Sequence, residues 1–259
     1  MSYTALYRKF RPSTFEDVKG QDHIVTTLKN QIRADRIGHA YLFCGPRGTG
    51  KTTSARLLAK ALLCESAQNG QPDGTCPQCL EIAQGTHPDV FELDAASRTG
   101  VDNVREEIIG RVGFAPTRGR FKVYIIDEVH MLSTAAFNAL LKTLEEPPEH
   151  VVFVLCTTDP HKVPETIQSR CQRFDFKRIA PEVIRDRLLF IAGQEDMTLT
   201  EEAAALIARI ADGGMRDALS LLDLCWAHAH DITVETVSEA AGLVGHDYLF
   251  EIADAAATG

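Results

Sequence analysis

Long uncharged apolar runs are missing from this sequence. Nothing approaches the roughly 18 to 20 residues that cross a bilayer, so no membrane association is expected. The first thirty residues also lack the apolar stretch and small-residue cleavage site of an export signal, which points to a cytoplasmic protein. The seven cysteines are an odd number without an export signal, so a disulfide framework gives way to reduced thiols in metal or core roles. Positive charge is in deficit: 27 Lys and Arg against 36 Asp and Glu leave a formal net charge of -9. That excludes nucleic-acid binding by bulk electrostatics and leaves room only for a small basic face, because counterion release needs Lys and Arg gathered near phosphates. Internal repeats and low-complexity tracts are absent as well. The 259 residues, 44% hydrophobic and 24% charged, are enough for two globular domains with a proper core.

Up to about Lys177, short β-rich runs alternate with helical patterns, as in a parallel sheet covered by helices. The runs AYLFC (40–44), VFELD (90–94), KVYIID (122–127), VVFVLC (151–156) and FDF (174–176) read as strands. Phe137, Leu140, Leu141 and Leu144 form one face of a helix that starts near Ser133 and stops at Pro147-Pro148. After Pro181 the strand signal vanishes. Three amphipathic helices follow, marked by Ile184/Leu188/Ile191, Ala203/Leu206/Ile207/Ile210 and Leu219/Leu222/Cys225/Trp226, and a further helical stretch begins near Tyr248.

The segment FCGPRGTGKTT sets G-x-x-x-x-G-K-T between a strand and a helix, the context a phosphate-binding loop requires. Gly45, Pro46, Arg47, Gly48, Thr49, Gly50, Lys51, Thr52 and Thr53 are the candidate nucleotide contacts. Glycines let backbone N–H groups turn toward phosphate oxygens, and the helix N-terminus adds its positive end. Lys51 is placed for the β- and γ-phosphates of ATP and Thr52 for Mg²⁺. VYIIDEVH then offers a buried strand ending in Asp127, for the magnesium shell, and Glu128, for polarising the attacking water. An acidic strand end that merely caps a neighbouring helix is the other reading. His130 reads as a surface or supporting residue rather than a base.

GPRGTGKTT, IIDEVHML, NALLKTLEEPPEHVVFVLCTTDP, QSRC and GGMRDALSLLD, in this order, resemble the gamma/tau subunit of the bacterial DNA polymerase III clamp loader. The resemblance runs from ALYRKFRP to about residue 245. It implies an α/β fold: an AAA+ P-loop ATPase core over residues 1–178 with a five-stranded parallel sheet and a zinc insert at about 64–79, a three-helix lid at 179–244, and the start of a collar at 245–259. It also implies that Thr158 is a polar sensor, that Arg170 is an arginine finger acting on ATP of a neighbouring subunit, and that Arg216 is a second sensor of the γ-phosphate. From the residues alone, Arg170 equally caps a helix end; for Arg216 the alternative to the sensor is a salt bridge with Asp212 or Asp217. The resemblance further sets Arg8, Lys9 and Arg11 beside the adenine and Arg98, Thr99 and Arg105 toward DNA. Implied partners are other gamma/tau copies, delta, delta-prime, the sliding clamp and primed DNA. ATP hydrolysis is the expected chemistry; no separate polymerase domain fits in this length. A catalytically silent scaffold and another AAA+ enzyme, such as a branch-migration motor or an unfoldase, are the competing classes.

The stretch CESAQNGQPDGTCPQC leaves three thiols, Cys64, Cys76 and Cys79, short of a four-cysteine zinc site. The family pattern C-x₈-C-x₂-C-x₂-C implies a fourth ligand at position 73, where this chain has Asp73. Carboxylate oxygen is a competent but harder donor, so weaker zinc retention is expected. Two alternatives stay open: His87 as the fourth ligand, and no bound metal. Cys44, Cys156, Cys171 and Cys225 read as packing residues.

Overall fold

The computed structural model describes residues 3–97 and 108–242. It divides into two compact units, one formed by Pro12–Lys177 and the other by Met1–Arg11 with Arg178–Gly259.

The first unit is built on strands β1 (Ala40–Cys44), β2 (Val90–Asp94), β3 (Lys122–Asp127), β4 (Val151–Thr157) and β5 (Gln172–Asp175). They form one sheet in the order β2-β3-β4-β1-β5, with every pairing parallel. Parallel strands need crossovers; α1 (Asp22–Arg33) precedes β1 and packs on the sheet, while α2 (Lys51–Leu63) and α3 (Pro77–Gln84) lie between β1 and β2 and α4 (Thr134–Glu145) between β3 and β4. The central strands read as unbroken apolar runs because both faces are covered. Leu42, Tyr124, Ile126, Phe153 and Leu155 enter one core with Phe137, Leu140 and Leu144 of α4. Their alternates Tyr41, Phe43, Val123, Ile125, Val152 and Val154 enter the opposite core with Ile24 and Leu28 of α1 and Leu57 and Leu58 of α2. Each such side chain, taken fully out of water, contributes about 1.5–3 kcal/mol before the entropy of ordering is set against it.

Two side chains with no sequence motif hold this unit's loops. Asp89 is wholly buried and accepts the N–H groups of Thr117, Arg118 and Gly119 at 2.6, 2.8 and 3.1 Å. Burial works to raise its carboxyl pKa, but the three N–H donors prevail and hold it below the usual carboxylate value. Gln21, also wholly buried, donates to the Lys177 carbonyl at 2.7 Å and accepts the Lys177 N–H at 3.1 Å. Its amide clasps the backbone just after β5 as another strand would.

The second unit carries α5 (Pro181–Gln194), α6 (Glu201–Ile210) and α7 (Met215–His228), the three expected helices, around Ile184, Leu188, Ile207, Leu219, Leu222 and Cys225. Two features add to that expectation. A fourth helix, α8 (Val234–Ala240), is capped by Thr233, and β6 (Thr198–Leu199) pairs in parallel with β7 (Asp231–Ile232). Two-residue strands are too short to show a period.

The first eleven residues, expected with the ATPase core, group instead with this helical unit. Leu6, on the helical turn Leu6–Lys9, is 1% exposed in its core, and Asp223 of α7 accepts both the Tyr3 hydroxyl and the Leu6 N–H, at 2.5 and 2.9 Å. The collar start expected at 245–259, with the helical stretch near Tyr248, lies outside the described residues, as do Arg98, Thr99 and Arg105. Among the described residues, no helix is long and apolar enough to cross a membrane.

Candidate functional site

Strand order brings three chain segments to one edge. β1 and β3 both flank β4, so the loop leaving β1, the acids ending β3 and the threonines ending β4 emerge side by side.

The loop after β1 bends through Gly45, Gly48 and Gly50 at φ of 146, 76 and 100°, all unfavourable for a side chain. At Gly45 a Cβ would also run into the Phe176 backbone. Thr49 closes the turn by donating to the Pro46 carbonyl at 2.8 Å. The loop delivers the chain to α2, whose N-terminus has no side-chain cap, whereas α4 uses Ser133 to accept the Ala136 N–H at 3.2 Å. A helix end left uncapped keeps its first N–H groups for an anion. Lys51, 6% exposed, donates to the Gly45 and Pro46 carbonyls, each at 2.8 Å. Arg47 is exposed, and Thr53 is half-buried in the first turn of α2.

Thr52 donates to Asp127 at 2.6 Å, tying α2 to β3. Burial pushes the Asp127 carboxyl up from its ordinary value, against the Thr52 bond, and pushes the Lys51 ammonium down. Glu128 sits in the left-handed region at φ 47° and ψ 46°, unusual for a glutamate and the kind of outlier found at functional sites. Its Oε2 accepts the Thr158 hydroxyl at 2.9 Å and the Thr158 N–H at 3.3 Å. Asp127 and Glu128 therefore face different partners, and the Glu128 side chain, at the N-cap of the turn Val129–Met131, makes no cap bond to that turn.

Arg170 follows the helical turn Glu165–Gln168; it donates to the Thr166 carbonyl at 2.7 Å and pairs with Glu145 at 2.9 Å. Arg216, in the first turn of α7, lies 5.0 Å from the centre of the Tyr7 ring, while Asp212, one of its alternative partners, pairs with Arg178. Lys9 pairs with Glu195 at 2.5 Å and Arg8 donates to the Tyr7 hydroxyl at 3.1 Å.

The ligand atoms of Cys64, Asp73, Cys76 and Cys79 all lie within 4.8 Å of one another. A tetrahedral zinc–thiolate cage has edges of about 3.8 Å, and the Cys64 and Cys76 sulfurs stand 3.9 Å apart. Backbone N–H groups of Asp73 and Cys79 point at the Cys64 and Cys76 sulfurs at 3.3 and 3.5 Å, a setting that suits thiolate. Asp73 Oδ1 takes the Thr75 and Cys76 N–H groups at 3.0 and 3.1 Å, and these bonds hold its carboxyl well below the usual value. The donor set fits a metal with one carboxylate. His87 does not join it: Nδ1 accepts the Asp89 N–H at 3.1 Å and Nε2 faces the Gln78 side chain. Cys44, Cys156 and Cys225 are buried in the cores, and Cys171 packs half-buried against one of them. Sequence reasoning missed Asp89, Gln21 and the closeness of His130 to Glu128.

A sheet of this order, with a glycine-bent loop after β1, an acid pair after β3 and a separate helical unit, has the architecture of an AAA+ P-loop ATPase. A Thermotoga maritima RuvB Holliday junction branch migration motor matches it with a TM-score of 0.64 at 18% identity, covering 90% of this chain and 72% of that one, a likeness of fold alone. Family models match for the DNA polymerase III delta subunit over residues 20–180 and for the DNA polymerase III clamp loader subunit ATPase lid domain over residues 183–231. The chain is 54% identical to Bacillus subtilis DNA polymerase III subunit tau over 98% of its length and 45% of that protein. It is 51% identical to the Escherichia coli tau subunit, over 98% of this chain and 40% of that one. With Buchnera aphidicola DNA polymerase III subunit gamma it shares 47% identity over 98% of this chain and 71% of that protein. The chain belongs to the DNA polymerase III gamma/tau subunit family. It spans less than half the length of the two tau subunits.

Because its pKa is raised by burial, ionised Asp127 costs the nucleotide-free fold stability above that pKa, a cost that fades as pH falls through it. Asp127→Asn is expected to raise the thermal stability of the nucleotide-free chain at neutral pH by about 1 kcal/mol and to weaken Mg²⁺-dependent nucleotide binding, a stability–function trade-off. Denaturation scans against pH check it: the two proteins converge toward acid, and a less stable Asp127→Asn at pH 7 contradicts the assignment.

Proposed function

We propose that this chain is the ATP-hydrolysing part of a clamp loader motor subunit, coupling ATP turnover to loading of the sliding clamp on primed DNA. The observation that carries this reading is the complete chemical set at one sheet edge: Lys51 beneath the loop, Thr52 bonded to Asp127, and Glu128 bonded to Thr158. A silent scaffold has no need of it.

In the proposed reaction Gly45 to Thr53 cradle the phosphates of ATP and Lys51 neutralises charge on the β- and γ-phosphates. Mg²⁺, held through Thr52 and Asp127, supplies electrostatic stabilisation of the phosphates when bound. Glu128 takes a proton from water, whose oxygen attacks the γ-phosphorus as the bond to the β,γ-bridging oxygen breaks, giving ADP and inorganic phosphate. Thr158 holds Glu128 and the water in place. Arg170 acts in trans on a neighbouring subunit's ATP, and Arg216 reads the γ-phosphate of its own. Arg98, Thr99 and Arg105 are proposed to touch the DNA backbone, a contact that positions without reading sequence. The partners are further gamma/tau copies, delta, delta-prime and the clamp, in the cytoplasm. The insert is proposed to hold a structural Zn²⁺ through Cys64, Asp73, Cys76 and Cys79, remote from the ATP chemistry.

The ATPase rate of the full-length subunit, assembled with delta, delta-prime, clamp and primed DNA, tests the motor assignment. An arginine finger contributes about 10³-fold or more. Arg170→Ala should therefore lower the assembled, DNA-stimulated rate by about that factor and leave the lone chain's rate unchanged; an unaltered assembled rate excludes the finger, and absence of ATP binding by the wild type favours the scaffold.

Metal analysis tests the insert. Purified wild type should carry about one zinc per chain, Asp73→Ala should lose most of it in competition with a chelator, and Asp73→Cys should retain it more tightly. Undiminished zinc in Asp73→Ala removes Asp73 from the ligand set.

A further inference from the structure

His130 lies two residues beyond Glu128, in the turn Val129–Met131, which is anchored by fully buried Val129 and by the Met131 N–H on the Glu128 carbonyl at 2.8 Å. Its side chain is only 10% exposed, so the ring is not a surface group. Nδ1 stands 3.0 Å from the Thr157 hydroxyl and 3.4 Å from Glu128 Oε2. Thr157 is itself well anchored: it is wholly buried, its hydroxyl accepts the Asp159 N–H at 3.0 Å, and its carbonyl accepts the Gly45 N–H at 3.2 Å, at the first residue of the phosphate loop. The ring thus bridges a fixed point beside the loop and the glutamate.

We infer that His130 is a positioning residue that holds the Glu128 carboxylate in its water-activating orientation. The inference rests on Glu128 being the general base. Oε2 is gripped by the Thr158 hydroxyl and N–H and flanked by the imidazole, while Oε1 accepts no hydrogen bond among the described residues, so Oε1 is the oxygen open to water. The left-handed backbone at Glu128 fixes where the side chain leaves, and the ring meets the same Oε2 that Thr158 holds. A carboxylate freed to turn about its last torsion would still lie near the water but with its lone pair misdirected, the kind of small displacement that costs about 10²-fold in rate without changing substrate affinity.

Steady-state ATPase kinetics of the assembled full-length complex on primed DNA test this, with Mg²⁺–ATPγS binding as a second readout. His130→Ala should lower kcat by about 10- to 100-fold with KM and ATPγS affinity within about twofold of wild type. His130→Asn, whose amide nitrogen reaches the position of Nδ1, should restore most of the rate. An unchanged kcat in His130→Ala overturns the inference. So does a loss shared between kcat and ATPγS affinity that His130→Asn leaves unrepaired, because that marks a merely structural ring. Glu128→Gln separates the two assignments: if it keeps turnover, the base assignment fails and the inference with it. If it abolishes turnover while both His130 variants behave as wild type, only the inference fails.

Discussion

One short hydrogen bond, from the Thr52 hydroxyl to Asp127 at 2.6 Å, joins the first turn of α2 to the last residue of β3. Much of the site follows from it. The bond exists because β4 lies between β1 and β3, so that the segments leaving β1 and β3 come within a side chain's reach of each other. That order is enforced by burial on both faces: a one-residue slip of β3 against β4 would send Tyr124 and Ile126 into the wrong core. Packing therefore sets chemistry here through register. Phe91, Tyr124 and Phe153 stack across three neighbouring strands at 4.9 and 5.3 Å, which pins the register from within one core.

Around that bond the site is electrostatically unrelaxed. Asp127 is half-buried with its carboxyl pKa pushed up, Lys51 is buried with its ammonium pKa pushed down, and the lysine turns to the carbonyls of its own loop. An anion on the uncapped end of α2 and a cation beside Asp127 would relieve both penalties at once. The backbone at Glu128 carries a further cost, of order 1 kcal/mol for a left-handed residue, which a fold retains where a side chain has to leave in one direction only. These three features are local departures from stability, and all three lie beside one bond.

The central strands were legible because their apolar runs are long and bounded by turn residues, and the phosphate loop because its glycines, lysine and threonine have fixed spacing. β5 was read two residues late, as 174–176 rather than Gln172–Asp175, since an exposed edge strand carrying Gln172 and Arg173 has little apolar signal. Asp89 and Gln21 were invisible for another reason. A polar side chain that satisfies distant backbone groups leaves no pattern in its neighbourhood, and its role appears only when Thr117 or Lys177 is folded back upon it. The membership of the first eleven residues rests likewise on a contact 217 positions away, from Leu6 to Asp223. At the insert, spacing pointed to position 73, but only the geometry brings the Asp73 carboxylate to the three sulfurs and turns His87 away.

The measurement that bears most directly on this account is equilibrium binding of ATPγS to the chain with its threonine intact and with Thr52→Val, each in Mg²⁺ and in EDTA. If the Thr52–Asp127 contact is the magnesium side of the site, wild type binds more tightly in Mg²⁺, while Thr52→Val binds with its EDTA affinity in both conditions and loses little of that affinity. An Mg²⁺ enhancement that survives undiminished in Thr52→Val contradicts it.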